Sequence, residues 1–453
     1  VFFYIYGIIL DMKRDISRQL EAWKERKRRN PLIVKGARQV GKTYILKAFG
    51  QQCFPQYHYF NFEEDNQVKK IFTPDLKPRR ILDELSFYVN APIDSANDLL
   101  IFDEIQHCPR ALTSLKYFAE EVPELAICCA GSLLGLFFGE SSFPVGKADF
   151  LPLYPLSFGE FLSGIGESKA YDYFSECTLN AQIPEIVHAR LWELWKVYLV
   201  SGGLPAVVNV YRDHKDDLFT AVRLVREKQQ NLILAYEADM ARHSGKQNSM
   251  HINRLWRNIP SQLAREQDGS ASKFKFKEVI PGIKGFERLS GIIDWLLTAG
   301  LVIKAHIVNS GHLPFTAYAQ DNFFKLYFFD IGILGAISGL SPRAILDYDY
   351  GSYKGYMAEN FAAQEFLCAG SNDLFAWREG KAEVEFLREV EGKVVPIEIK
   401  SGWVSQSKSL NVFAHKYAPP CRVIMSARNL HIDAKNRLHR YPLYLAARFP
   451  LPG

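Results

Sequence analysis

The eight residues Gly36-Ala37-Arg38-Gln39-Val40-Gly41-Lys42-Thr43 (GARQVGKT) decide the fold. They satisfy G-x-x-x-x-G-K-[ST] at each defined position. An apolar strand, Leu32-Ile33-Val34, runs into them, and a helical stretch from Tyr44 to Phe49 runs out. A strand that turns through glycines into a helix aims successive backbone N–H groups at one point and adds the positive end of the helix dipole. That is a cradle for phosphate. All eight residues are therefore expected to line a nucleotide, with Lys42 reaching the β- and γ-phosphates and the Thr43 hydroxyl offered to Mg²⁺.

A phosphate loop of this kind needs a carboxylate at the end of a neighbouring strand. Leu99-Leu100-Ile101-Phe102-Asp103-Glu104 supplies it. Asp103 is expected to hold Mg²⁺ through water, and Glu104 to polarise the attacking water. Tyr57–Asn61 and Ala126–Ala130 read as further short apolar strands with helical stretches between them. Alternation of that kind implies an α/β fold with a parallel sheet covered on both faces. The strand Ala126–Ala130 ends at Gly131-Ser132. Ser132 either senses the γ-phosphate or belongs to a plain strand-ending turn. Arg38 and Lys147 are candidate stabilisers of developing charge, and ATP and Mg²⁺ are the cofactors expected.

Composition bounds the rest. The 453 residues carry 55 Lys and Arg against 50 Asp and Glu, a net charge of +5, so the whole chain is not a basic nucleic-acid coat. Hydrophobic residues at 48% and aromatics at 13% exclude a disordered chain. The seven cysteines include no C-x-x-C pair, which argues against a disulfide framework or zinc ribbon and for a reducing cytoplasm. Val1–Leu10 is apolar but shorter than the roughly 20 residues a bilayer-spanning helix needs. Residues 1–11 read as a non-native extension ahead of Met12, and no membrane association is expected.

Four regions follow: an ATPase core over 12–165, a helical lid over 166–245, a winged-helix-like module over 246–310 and a C-terminal domain over 311–453. In the third, Ile252–Leu263 and Phe286–Ala299 read as helices, Phe274–Val279 as a short strand and Leu301–Ile307 as a wing. This stretch holds ten Lys and Arg against five Asp and Glu, which equals the net excess of the whole chain. A DNA contact is sought first at Lys273, Lys275, Lys277, Lys284 and Arg288. The competing reading is a plain packing module. The basic run Lys24, Arg26, Lys27, Arg28 and Arg29 answers a helix C-terminus or touches nucleic acid.

GARQVGKT, LLIFDEIQ (Leu99–Gln106), AGSLLG (Ala130–Gly135) and LYPLSFGEFL (Leu153–Leu162) together resemble bacterial and archaeal ATPases of the AAA type that carry a C-terminal DUF4143 domain. The resemblance covers nearly the whole chain from Met12. Gly202-Gly203-Leu204-Pro205 resembles the G-x-P turn of related signal-transduction ATPases, which implies that Gly203 and Pro205 contact the nucleotide. An ordinary Gly-Pro turn is the alternative.

The C-terminal region holds a second constellation. Glu359 lies on a helical stretch, Glu385 in the strand-like Ala382–Leu387, and Glu398 and Lys400 in Pro396–Lys400. Residues two apart on a strand share a face, so Glu398 and Lys400 project together while Ile397 and Ile399 point inward. An acid followed by E-x-K on the next strand is how PD-(D/E)XK nucleases hold Mg²⁺. The C-terminal domain of the resembled family resembles this restriction-endonuclease-like fold, with a usual string nearer E-V-D-F, so Glu385 stands one methylene longer. The sequence thus predicts an Mg²⁺-dependent ATPase, a switch or remodeller acting on nucleic acid or a protein partner. Its alternatives are an ATP-regulated nuclease and a nucleotide-binding module with little turnover. Its oligomeric state is open.

Overall fold

The computed structural model describes residues 12–131, 146–264, 274–276, 279–280, 282, 285–403 and 407–453. The chain divides into two compact units. One ends at Tyr154 and also takes in Thr298–Gly300; the other comprises Pro155–Leu297 and Leu301–Gly453. The first division falls at Tyr154, ahead of the boundary expected at 165, and apart from Thr298–Gly300 the residues beyond it share one unit.

In the first unit an opening helix α1 (Ile16–Lys24) precedes the strands β1 (Leu32–Lys35), β2 (Tyr57–Asn61), β3 (Leu99–Asp103), β4 (Ala126–Gly131) and β5 (Asp149–Pro152). They form one parallel sheet in the order β2-β3-β4-β1-β5. Helices α2 (Lys42–Cys53), α3 (Asn66–Ile71), α4 (Pro78–Val89) and α5 (Pro109–Glu121) connect them. Strands β3 and β4 are buried along their whole length, as central parallel strands covered on both faces must be. Edge-to-face contacts among Phe60, Phe62, Phe72 and Phe102 fill one side of the core. This order places β4 between β1 and β3. The chain leaves β1 toward one edge of the sheet and leaves β4 toward the other, and a crevice opens at the carboxyl ends of the strands where that direction reverses.

The second unit begins with α6 (Phe158–Gly164), α7 (Ser168–Glu176), α8 (Glu185–Ser201), α9 (Pro205–His214), α10 (Leu218–Ser244), α11 (Lys246–Ala264) and α12 (Ser290–Thr298). A mixed sheet follows, with β6 (Val302–Val308), β7 (Ala319–Phe328), β8 (Leu374–Glu379), β9 (Ala382–Val390), β10 (Lys393–Ile399), β11 (Arg422–Ser426), β12 (His431–Asp433) and β13 (Leu438–Pro442). Its order is β12-β13-β11-β10-β9-β8-β6-β7. Helices α13 (Ile331–Ile337), α14 (Pro342–Leu346), α15 (Tyr353–Cys368) and α16 (Lys408–Tyr417) are set between its strands.

The expected wing is corrected by this sheet. Val302–Val308 pairs antiparallel with β7 and parallel with β8, so it is an internal strand of the wide sheet. Five of its seven positions are buried, with Lys304 and His306 partly exposed. The Lys275 neighbourhood follows the same logic. Phe274 donates its N–H to Phe324 O at 2.8 Å, and the rings of Phe274, Phe276 and Phe286 gather on Phe324. The alternating phenylalanines therefore mark packing on β7. No helix among the described residues is long and apolar enough to cross a membrane.

Candidate nucleotide site and C-terminal acid cluster

The phosphate loop is built by three devices, one local and two that reach across the sequence. Gln39 and Gly41 take positive φ angles of 68° and 97°, which reverse the chain ahead of α2. Gly36 is needed for a different reason: a Cβ there would lie 2.1 Å from Leu153 O, and Leu153 itself donates to Lys35 O at 2.8 Å. Arg14 braces the far side, donating to Val40 O at 3.1 Å and Tyr154 O at 2.8 Å. Lys42 is buried at the start of α2, and its ammonium donates to Gly36 O at 2.9 Å and Ala37 O at 2.8 Å. Burial lowers its pKa to about 8, against the opposing pull of Glu104 and Asp103.

The carboxylates stand where the loop can use them. Thr43 Oγ1 lies 2.7 Å from Asp103 Oδ2, which joins the start of α2 to the end of β3. A hydroxyl and a carboxylate so placed are the donor set that holds Mg²⁺ in phosphate-loop proteins, so these residues fit the ion. Tyr59 of β2 donates to the same oxygen at 2.8 Å, and Glu104 N–H donates to Asp103 Oδ1 at 3.0 Å. Glu104 sits in the left-handed region at φ 48°, which turns its side chain out of the strand direction. Gln106 Nε2 donates to Glu104 Oε2. Burial, the largest influence, raises the Glu104 pKa above the usual carboxylate range.

Other expected residues fall differently. Ser132 lies outside the described residues. Lys147 is half-buried and pairs with Glu120 at 3.3 Å. In the basic run, Arg26 pairs with Asp149 at 2.7 Å, and Arg29 donates to Lys24 O at 2.9 Å and Glu124 O at 2.5 Å. Lys273, Lys277 and Lys284 lie outside the described residues, Lys275 is half-buried, and Arg288 is exposed.

In the second unit the Gly202-Gly203 turn is enclosed by protein. Gly203 N–H donates to Asp330 Oδ2 at 2.7 Å, and Leu156 N–H donates to Gly203 O at 2.7 Å. Asp330 is fully buried, which raises its pKa to about 6, and it also caps α13 through Ile333 N–H at 2.9 Å. Pro205 is the first residue of α9, where its missing N–H costs nothing.

The structure brings the C-terminal residues together. Strands β9 and β10 are antiparallel with Phe386 opposite Ile397, so Glu385 and Glu398 stand opposite each other on one face. Ile399 N–H donates to Glu385 Oε2 at 3.3 Å, and Lys400 pairs with Glu398 Oε1 at 2.6 Å. Burial and the facing Glu398 and Glu359 push the Glu385 pKa well above the carboxylate range. Glu359 of α15 sits beside them, but its partners were not foreseen. Lys325 of β7, with a side chain only 2% exposed, holds Glu359 at 3.2 Å and Glu383 at 2.7 Å, and Tyr327 donates to Glu359 at 3.0 Å.

Lys325, Tyr59, Arg14 and Asp330 are the residues that sequence reasoning missed. Only Tyr59 carried a local signal, since the alternation in Tyr57–Asn61 puts it on the face away from Phe60.

Residues 28–162 match the AAA domain family, residues 193–344 the domain of unknown function DUF8612, and residues 354–445 the domain of unknown function DUF4143. No curated protein matches the chain. Among solved structures, a Walker-type ATPase of Pyrococcus abyssi is similar at 17% identity, over 73% of this chain and 99% of that one, with a TM-score of 0.47. The RuvB Holliday junction branch migration motor of Thermotoga maritima is similar at 15% identity, over 65% and 92%, with a TM-score of 0.32. The Orc1 protein of Aeropyrum pernix, solved in complex with DNA, is similar at 13% identity, over 75% and 96%, with a TM-score of 0.30. The chain thus carries a match to the AAA domain on the phosphate-loop sheet and a match to DUF4143 on the strands of the acid cluster, the pairing its sequence resembles.

Proposed function

We propose that the protein is an Mg²⁺-dependent ATPase that works as a nucleotide-driven switch or remodeller, with DNA as its partner. The carrying observation is the 2.7 Å approach of Thr43 to Asp103 beside Lys42, which assembles the charge-neutralising half of a hydrolysis site. Gly36 to Thr43 cradle the phosphates, and Lys42 neutralises charge on them. Thr43 and Asp103 would hold Mg²⁺, which would supply charge neutralisation at the γ-phosphate, and Glu104 is placed to activate water for in-line attack.

The pH dependence of ATP binding tests the assignment of Lys42. Its pKa near 8 in the free protein rises when phosphate oxygens surround the ammonium. ATP affinity is therefore constant below about pH 8, where Lys42 is already charged. It falls by up to about tenfold per pH unit above that, because binding must then take up a proton. Titration of a fluorescent ATP analogue from pH 6 to pH 10 reads this directly, and a flat profile refutes the assignment.

The DNA partner rests on the charge excess of 246–310, with Arg288 exposed. ATPase rate with and without duplex DNA, across a salt series, is the measurement. Stimulation that falls steeply with salt is expected, and Arg288→Ala lowers the slope of log K against log salt by about 1. No stimulation at low salt excludes DNA and leaves a protein partner.

A second reading concerns the acid cluster, which we propose as a divalent-cation site of a nuclease-like domain. It is favoured by one buried atom. Glu398 Oε2 has no hydrogen-bond partner among the described residues, although the side chain is only 5% exposed. A buried carboxylate oxygen left bare is costly unless a cation meets it.

A further inference from the structure

We infer that Lys325 closes half of the C-terminal acid cluster: it is the fixed counter-ion of Glu359 and Glu383, and it leaves Glu385 and Glu398 as the pair that takes a single divalent cation. This rests on reading the cluster as a cation site. It differs from the sequence expectation, in which Glu359 was a ligand.

The argument is one of occupancy. Lys325 is buried on β7 and reaches Glu359 Oε2 at 3.2 Å and Glu383 Oε1 at 2.7 Å. Tyr327 donates to that same Glu359 oxygen at 3.0 Å, so it is met by two donors. A metal ion at Glu359 Oε2 would face an ammonium with little water to screen the repulsion. Removing one partner of a buried ion pair leaves the other charge uncompensated, so an ion does not displace Lys325 cheaply. The other two acids are placed differently. Among the described residues, Glu385 accepts a long bond of 3.3 Å from Ile399 N–H at Oε2. Glu398 gives Oε1 to Lys400 at 2.6 Å and keeps the buried Oε2 bare. These two carboxylates face each other across β9 and β10. With Lys325 standing in for a second metal ion, the pair has charge for one divalent cation, and Lys400 stands beside it on Glu398 Oε1.

The test uses Mn²⁺ alone as the probe, on the full chain without nucleotide, with free Mn²⁺ read by electron paramagnetic resonance. Any ion at Thr43 and Asp103 is common to all variants and cancels between them. Glu398→Gln and Glu385→Gln are each expected to weaken one ion by about tenfold or more. Glu359→Gln is expected to keep it within about threefold. Lys325→Met is expected to tighten Mn²⁺ about tenfold or to add a second ion, and Lys325→Arg to behave as wild type. If wild type and Glu398→Gln bind alike, the cation site itself is refuted. If Glu359→Gln loses the ion as fully as Glu398→Gln, the site stands and the Lys325 closure is overturned. That second comparison does not depend on Lys325→Met folding.

Discussion

Replacing Glu104 by Gln is expected to lower ATP hydrolysis by about 10²–10⁴-fold while leaving ATP affinity within about threefold. The two readouts separate because the residue stands apart from the phosphate cradle. In the proposed mechanism the loop from Gly36 to Thr43 and the Thr43–Asp103 pair bind the nucleotide, and the Thr43–Asp103 hydrogen bond does not pass through the Glu104 side chain. Its backbone N–H holds Asp103 Oδ1 at 3.0 Å, and glutamine preserves that bond. What glutamine removes is the negative charge that takes a proton from water. Burial makes that charge more basic than an exposed glutamate. The sign for pH follows. The active form is the carboxylate, so the rate falls as pH drops through the raised pKa, and the acid limb lies above the ordinary glutamate range. The substitution removes this limb along with the rate. A pre-steady-state hydrolysis assay with a binding titration checks both. Unchanged hydrolysis in Glu104→Gln refutes the assignment, and weakened binding with unchanged turnover per bound ATP would make the residue a cradle member.

The parts of this site that could be read from sequence are those whose chemistry lies within one short string. GARQVGKT is contiguous, so its glycines, lysine and threonine announce the strand, the turn and the helix together. Asp103 and Glu104 were legible because an apolar strand ends on them. Arg14 was not, because its partner Val40 is 26 residues away and nothing local in an arginine names a distant carbonyl, and the alternation around Tyr59 gave its face but not its partner 44 residues away. Lys325 is the same case in the second unit, 34 residues from Glu359. The wing at Leu301–Ile307 was misread for a related reason. A short apolar strand looks alike in any sheet, and only the pairing with β7 and β8 shows which sheet owns it.

The string LYPLSFGEFL had no local explanation, and the structure supplies one. Leu153 donates to Lys35 O and fills the space above Gly36 in the first unit. In the second, Ser157 and Glu160 form a capping box that starts α6, and Phe158 N–H donates to the buried Glu365 at 3.0 Å. Tyr198 and Gly203 take the two polar groups of Leu156. Leu153, Leu156 and Phe158 are each held by a partner far away in sequence, which gives the string an order that no local periodicity explains.

That contact between Leu156 and Gly203 sets the largest stability effect expected in the molecule. Gly203→Ala is predicted to destabilise the second unit by about 3–5 kcal/mol. A Cβ at Gly203 would lie 2.1 Å from Leu156 O and 2.7 Å from Leu156 N, and both are backbone atoms that no rotamer change moves aside. Relief requires the Leu156 segment and the turn to separate. Separation breaks the 2.7 Å bond from Leu156 N–H to Gly203 O and the 2.7 Å bond from Gly203 N–H to Asp330. It would leave a fully buried carboxylate, whose pKa burial already raises to about 6, with one donor fewer. Overpacking accounts for about 1–3 kcal/mol and the lost bond to a charged group for about 1.5–3 kcal/mol. Gly355→Ala is the matched comparison. Gly355 lies in α15, and a Cβ there meets nothing within 4 Å, so alanine is expected to stabilise by about 0.5–1 kcal/mol through helix propensity. Chemical denaturation of both variants, followed by tryptophan fluorescence, gives the two signs, with Trp195 and Trp377 buried in this unit as reporters. A Gly203→Ala protein within about 1 kcal/mol of wild type would mean that the turn yields freely and that Leu156 does not fix it.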